Sequence, residues 1–106
     1  MISKSLDLSS FVEETFELTF PNKEKIHIKK PTQKLVFSLM AMQEVQNEKP
    51  EQQIEMLNEM VTMILSHNTE GKAYDIATVR EFDIAILMAI VTAYSGWIQE
   101  IHANPN

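Results

Sequence analysis

Phe16 to Val45 read FELTFPNKEKIHIKKPTQKLVFSLMAMQEV. Phe16, Leu18 and Phe20 alternate with Glu17 and Thr19, and Ile26 and Ile28 alternate with His27 and Lys29. Period-two alternation on both sides of a short polar loop, Pro21 to Lys25, predicts a β-hairpin. Pro31 lacks an amide to continue a sheet, and Thr32 supplies a hydroxyl that caps a following helix. The stretch therefore predicts strand, turn, strand and then an amphipathic helix.

At 106 residues the chain is long enough for one domain, spanning 1–106, which buries roughly 65% of its unfolded surface. A hydrophobic share of 44% is that of a globular protein rather than a disordered one. The absence of cysteine excludes disulfides, thiolate metal sites and cysteine nucleophiles, and it fits a reducing compartment. MISKSLDLSS at the N-terminus has no apolar core, so no signal peptide is expected. The formal charge of −6 is unevenly spread. Residues 1–31 hold five lysines and five acids, whereas residues 32–106 hold four bases against ten acids. An acidic helical part repels phosphate backbones, so nucleic acid is not an expected partner. Lys23, Lys25, Lys29 and Lys30 are the one basic cluster, and Glu24 dilutes it at what reads as a solvated hairpin tip.

The rest of the chain reads as helix. The fold class is α+β, predominantly helical, with an N-terminal hairpin followed by about three α-helices. Leu6, Leu8, Phe11 and Val12 precede the hairpin as a helical turn or an extended arm. Helix one is expected over 32–48, with Leu35, Phe37, Leu39, Met42 and Val45 as its apolar surface. Pro50 suits the first turn of helix two, which runs to His67 with Ile54, Leu57, Val61, Ile64 and Leu65 as a core stripe. Gly71 is its natural terminator, and EGKAYDIA reads as a connecting loop. Helix three is expected from Thr78 to His102, with Thr78 and Glu81 in capping-box spacing.

On helix three, Phe82, Ile86, Ala89, Ile90, Ala93 and Trp97 share one face at 100° per residue. Ile84, Leu87, Met88, Val91, Tyr94 and Ile98 extend the apolar surface around about three-quarters of the cylinder. Two readings follow. Either helices one and two wrap this helix as a central element, or its second face meets another copy or a partner helix. The uncharged run from Ile84 to Gln99 is shorter than the ~20 residues of a membrane span, so no membrane is expected.

No catalytic arrangement stands out. His27, His67 and His102 lack metal-ligand spacing, and Gly71 and Gly96 do not make a phosphate loop. Neither a metal nor a cofactor is expected, and the chain reads as a non-enzyme. Glu51, Glu55 and Glu59 lie four apart as an acidic ridge, either a solvated face or a docking strip for a basic segment. Met56, Met60 and Met63, with Met40, Met42 and Met88, either fill core gaps or offer an adaptable apolar surface. Between the methionine stripe and the second face of helix three, helix three is the favoured partner site.

Three strings carry a resemblance. LDLSSFVEETFELTFPNKEKIHIKKPTQKLV, the EGK break, and EFDIAILMAIVTAYSGWI resemble the tail assembly chaperones of long-tailed (siphovirus-type) bacteriophages and prophages. That family typically shows a FELTLPDG-like hairpin, a Pro-Thr helix start, and an E-F-D-x-x-x-x-x-A-I-x-x-A-Y string. Here Asn22-Lys23 stands where the family prefers Asp-Gly, which relaxes the turn but leaves the topology unchanged. The resemblance implies a non-enzymatic oligomeric factor of the bacterial host cytoplasm, absent from the mature virion. Such factors keep the helical, apolar tape measure protein soluble and extended while tail tube assembles around it. It also implies a longer frameshifted product that engages the tail tube protein; a chain ending at Asn106 corresponds to the short form. A small structural or connector component of a phage tail is the alternative. A DNA-mimicking inhibitor requires an acidic face denser than Glu51–Glu55–Glu59.

Overall fold

The alternation forms the predicted hairpin. In a computed structural model, which describes residues 4–6, 8, 14–43 and 49–103, β1 is Thr15–Thr19 and β2 is Lys25–Lys29. They pair antiparallel, with Phe16 opposite Ile28, Glu17 opposite His27 and Leu18 opposite Ile26. The turn closes tightly. Phe20 N–H donates to the Glu24 carbonyl (2.8 Å), and Lys23 N–H donates to the Phe20 carbonyl (2.8 Å). Lys23 has φ +74°, the left-handed position that ends a three-residue hairpin loop. The side chain of Asn22 accepts from Glu24 N–H at 2.9 Å, which helps hold the turn without a glycine.

The helices are α1 Gln33–Gln43, α2 Pro50–Ser66, α3 Ile76–Val79 and α4 Ile84–Ala103. The fold is α+β and predominantly helical. Thr32 caps α1 as expected, its hydroxyl accepting from Leu35 N–H at 3.1 Å. Expectations for Val45 and the rest of 44–48, and for Phe11 and Val12, lie outside the described residues. Pro50 opens α2, and Gln52 reaches back to accept from Lys49 N–H at 3.2 Å. Gly71 does not terminate α2. The helix stops at Ser66, and Gly71, at φ +72°, sits farther on in a turn held by Asn68. The Asn68 amide donates to the Leu65 and Lys72 carbonyls (2.7 and 2.9 Å) and accepts from Lys72 N–H (3.0 Å).

The long third helix expected from Thr78 is two helices. Asp75, not Thr78, caps the first, accepting from Thr78 N–H at 2.8 Å. The chain then turns through Arg80–Phe82. A second cap follows at Asp83, whose carboxylate accepts from Ala85 N–H (2.7 Å) while its carbonyl takes Ile86 and Leu87 N–H (3.0 and 3.1 Å). Two aspartates eight residues apart compete for helix starts, and a short polar acceptor at each satisfies otherwise orphaned amides.

The core lies between β2, α2 and α4. Ile26, Ile28, Val61, Ile64, Leu65, Val79, Leu87 and Tyr94 are fully buried. Phe16 packs with Tyr94 and Trp97 at ring-centroid distances of 6.0 and 5.7 Å, and Phe20 with Tyr74 and Phe82 at 6.3 and 6.0 Å. Ile54, expected in the core stripe of α2, is exposed on its first turns.

The core face of α4 differs from the expected one. Leu87, Ile90 and Tyr94 are its buried residues; Phe82, just before it, and Ile86 and Trp97 are half-buried, and Ala89 and Ala93 are exposed. At 100° per residue the buried arc is turned by about 80° from the one read in sequence. Tyr94 explains the turn: its hydroxyl donates to the Lys29 carbonyl at 2.9 Å, drawing that side of the helix against β2. Burial pushes the phenol well above its usual pKa.

Candidate interaction surfaces

The hairpin's two edges differ. By the alternation of bonded pairs, the backbone groups of His27 and Lys29 point away from β1. All of these are bonded. His27 N–H donates to Glu70 Oε1 (3.0 Å), and the His27 carbonyl accepts from Thr69 N–H (2.9 Å). Lys29 N–H donates to the His67 carbonyl (2.8 Å), and the Lys29 carbonyl takes the Tyr94 hydroxyl. Ile28 pairs with Asn68 across this edge. Residues 67–69, just past the end of α2, thus cover β2 through an isolated antiparallel bridge. On β1 the same alternation turns the amides and carbonyls of Glu17 and Thr19 outward, and among the described residues nothing bonds them.

Side chains tie the covered edge to the helices. His27 Nδ1 lies 2.7 Å from Glu70 Oε2, and His67 Nε2 lies 2.8 Å from the Lys30 carbonyl. The bonds from His27 hold the Glu70 carboxyl below its usual pKa. Lys72 pairs with Glu24 beside it. Two of the three histidines therefore hold structure; the side chain of His102 lies outside the described residues.

The partner-binding residues proposed from sequence divide. Leu87, Tyr94 and Met60 are in the core and present no surface to a partner, because they fill the space between α4, β2 and α2. Met56 and Met63 are half-buried, so the methionine stripe is mostly packing. Ile84 and Met88 remain 47% and 57% exposed, and Val91 and Ile98 are half-buried beside the core. At helical spacing Ile84, Met88, Val91 and Ile98 form a continuous stripe along α4. The stripe ends in a groove where Ile98 and Ile101 face Pro31, Val36 and Phe37 across the gap to α1. Phe37, in this groove, and Met40, one turn along α1, are exposed. Phe37 was read with the apolar surface of helix one and Met40 as either a core filler or an adaptable surface residue; Leu35 and Leu39 are the buried residues of α1.

The acidic ridge is interrupted. Glu51 and Glu59 are exposed, but Glu55 is held by the guanidinium of Arg80, with Nε at 3.2 Å from Oε2. Bonding from Arg80 keeps the Glu55 carboxyl below its usual range, and it raises the Arg80 pKa in turn. The pair ties α2 to the α3–α4 turn, so the three glutamates do not act as one free strip.

α4 is also not a wrapped central helix. Three residues of Ile84–Ile101 are buried, and that stretch is long and apolar enough to cross a membrane by length and composition. The expectation that the run is too short counted only its uncharged part, ending at Gln99; adding Glu100 and Ile101 keeps the stretch apolar on average. Among the described residues no group of three or more His, Asp or Glu is placed to hold a metal ion. Comparisons with protein families, with curated proteins and with solved structures find no match for this chain.

Proposed function

We propose that this chain is a tail assembly chaperone of the long-tailed phage type, a non-enzymatic protein of the bacterial host cytoplasm that is absent from the mature virion. Its client is the tape measure protein, a long apolar helix that it keeps soluble and extended; a longer frameshifted product engages the tail tube protein. The observation that carries this reading is the stripe Ile84–Met88–Val91–Ile98, which runs into the α1–α4 groove on a chain of net charge −6. An amphipathic client helix lays its apolar face on such a stripe, and the acidic surface keeps the complex dispersed.

Replacing Ile84 by Ser, Met88 by Gln and Val91 by Thr tests the site. Ile84 and Met88 are exposed, so the fold survives. Each apolar contact removed is worth about 1.5 kcal/mol or more, so binding of a tape measure fragment falls by about a hundredfold or more. Full binding by the triple variant removes this face from consideration. Mass spectrometry of purified virions separates the alternative: a connector or structural subunit is present in them, a chaperone is not.

A further inference from the structure

Aromatic rings and carboxylates meet where the hairpin turn faces the break between α3 and α4. Phe20, Tyr74 and Phe82 line a pocket of about 380 Å³ together with Glu24, Glu81 and Asp83, and none of its lining residues is basic. The three rings are half-buried. Those of Tyr74 and Phe82 have their centroids 6.3 and 6.0 Å from that of Phe20. Rings this close are in contact, so a ligand does not fit between them. They make a continuous aromatic wall rather than an open cage.

The carboxylates are not equivalent. Glu24 is paired with Lys72. One oxygen of Asp83 accepts from Ala85 N–H at 2.7 Å. Its second oxygen, like both oxygens of Glu81, has no partner among the described residues. Arg80, next to Glu81 in the chain, is turned to Glu55 on α2. The pocket therefore joins an aromatic wall to acceptors that its own chain leaves open. Such a site attracts a cation that can lie flat on a ring. Guanidinium suits it best: it is planar and weakly hydrated, stacks on ring faces, and donates in its own plane to carboxylates. An ammonium group is compact and holds its water more strongly.

The pocket continues into an apolar trough. Phe20, Pro21 and Ile86 line both, and Leu18, Ala89 and Ala93 carry the trough onward. Ala89 and Ala93 are exposed, one turn apart, and their small side chains leave room for a chain close to the helix. At 100° per residue, Ile86 lies about 160° round α4 from Ile84. The trough and the stripe Ile84–Met88–Val91–Ile98 are thus on opposite faces.

We propose that this pocket binds an arginine side chain of a partner polypeptide, its guanidinium on the Phe20–Tyr74–Phe82 wall and its N–H groups on Glu81 and Asp83, with a neighbouring apolar residue in the trough. The net charge of −6 draws a cationic segment toward it. This second site differs from the client stripe in position and in ligand chemistry, and it does not rest on the chaperone reading.

The test titrates the full chain with acetyl-Leu-Arg-Leu-amide and follows amide chemical shifts. Saturable shifts are expected at Phe20, Tyr74, Glu81 and Phe82. A peptide with citrulline for arginine has the same shape without the charge, and it binds about tenfold more weakly or worse. Glu81 is exposed and its side chain bonds nothing described, so Glu81→Gln leaves the fold intact. That variant lowers the preference for arginine over citrulline about threefold or more. Tyr74→Leu lowers it too, by removing a ring face while keeping an apolar side chain. Unchanged shifts of the buried Ile26 and Ile28 amides show that each variant is folded. The proposal is overturned if no saturable shift appears at millimolar peptide, or if the shifts centre on Met88 and Ile98. It is overturned equally if citrulline binds as well as arginine, or if Glu81→Gln leaves the preference unchanged. Tetramethylammonium binding as tightly as the arginine peptide would overturn it in favour of a free small cation.

Discussion

β1 and β2 are of equal length and similar alternation, yet they occupy different environments. Ile26 and Ile28 of β2 are fully buried, whereas Phe16 and Leu18 opposite them are only half-buried. The outward backbone groups of His27 and Lys29 are all bonded, whereas among the described residues nothing bonds those of Glu17 and Thr19. A strand's own pattern says which side chains share a face. It does not say which edge will be covered, and cover comes here from residues 67–69, the Glu70 carboxylate and the Tyr94 hydroxyl.

The sharpest way to break this comparison is to truncate both strands. Ile28→Ala leaves a cavity among Val61, Ile64 and Leu65 and costs about 2–5 kcal/mol. Leu18→Ala costs less than half as much, because Leu18 is half-buried and water reaches the space. Urea denaturation of the two variants reads the difference, and equal losses would mean that β1 is as central as β2.

Tyr94→Phe has a smaller effect. It keeps the ring in place but leaves the Lys29 carbonyl without its donor, at a cost of about 1–2 kcal/mol in urea denaturation. A cost near zero would mean that the ring alone sets the rotation of α4.

The Glu70 contribution is smaller again and depends on pH. Its folded pKa is below the usual 4.5, so its stabilisation is fully present above that value and is lost as pH falls through the folded pKa. Glu55 and Asp75 have the same sign, held down respectively by Arg80 and by the amide and hydroxyl of Thr78. Denaturation midpoints therefore fall as pH is lowered from 5 toward 3, on the order of the carboxylate range. In Glu70→Gln the fall is shallower. An identical slope would show that Glu70 does not anchor β2. With no perturbation at all, amide exchange should be fast at Glu17 and Thr19 and slow at His27 and Lys29.

The hairpin, the faces of its strands, the Thr32 cap and the Pro50 start were legible because each depends on neighbours in the chain. Alternation sets strand faces, a hydroxyl reaches the amide three residues on, and proline fits a helix's first turn. The break between α3 and α4 was present in sequence as Asp75 and Asp83, but Thr78 and Glu81 offered a rival cap, and local pattern does not rank them. The exposure of the candidate residues was legible in part: Ile84 and Met88 are exposed, whereas Leu87 and Tyr94, assigned to the same face, lie in the core.

What the sequence determined by itself is the order of elements, the strand pattern, the acidic balance and the excess of apolar surface on the last helix. Periodicity, charge and proline chemistry act over a few residues and need no partner. Tertiary structure alone decided which arc of that helix is buried. With apolar residues around most of its girth, helical spacing permits several core faces, and the choice falls to contacts from distant parts of the chain. Tyr94 reaching Lys29, 65 residues earlier, is one such contact. The same holds for the hairpin: residues 67–69 close one edge, and among the described residues nothing closes the other, a distinction that no local pattern in Phe16 to Ile28 contains.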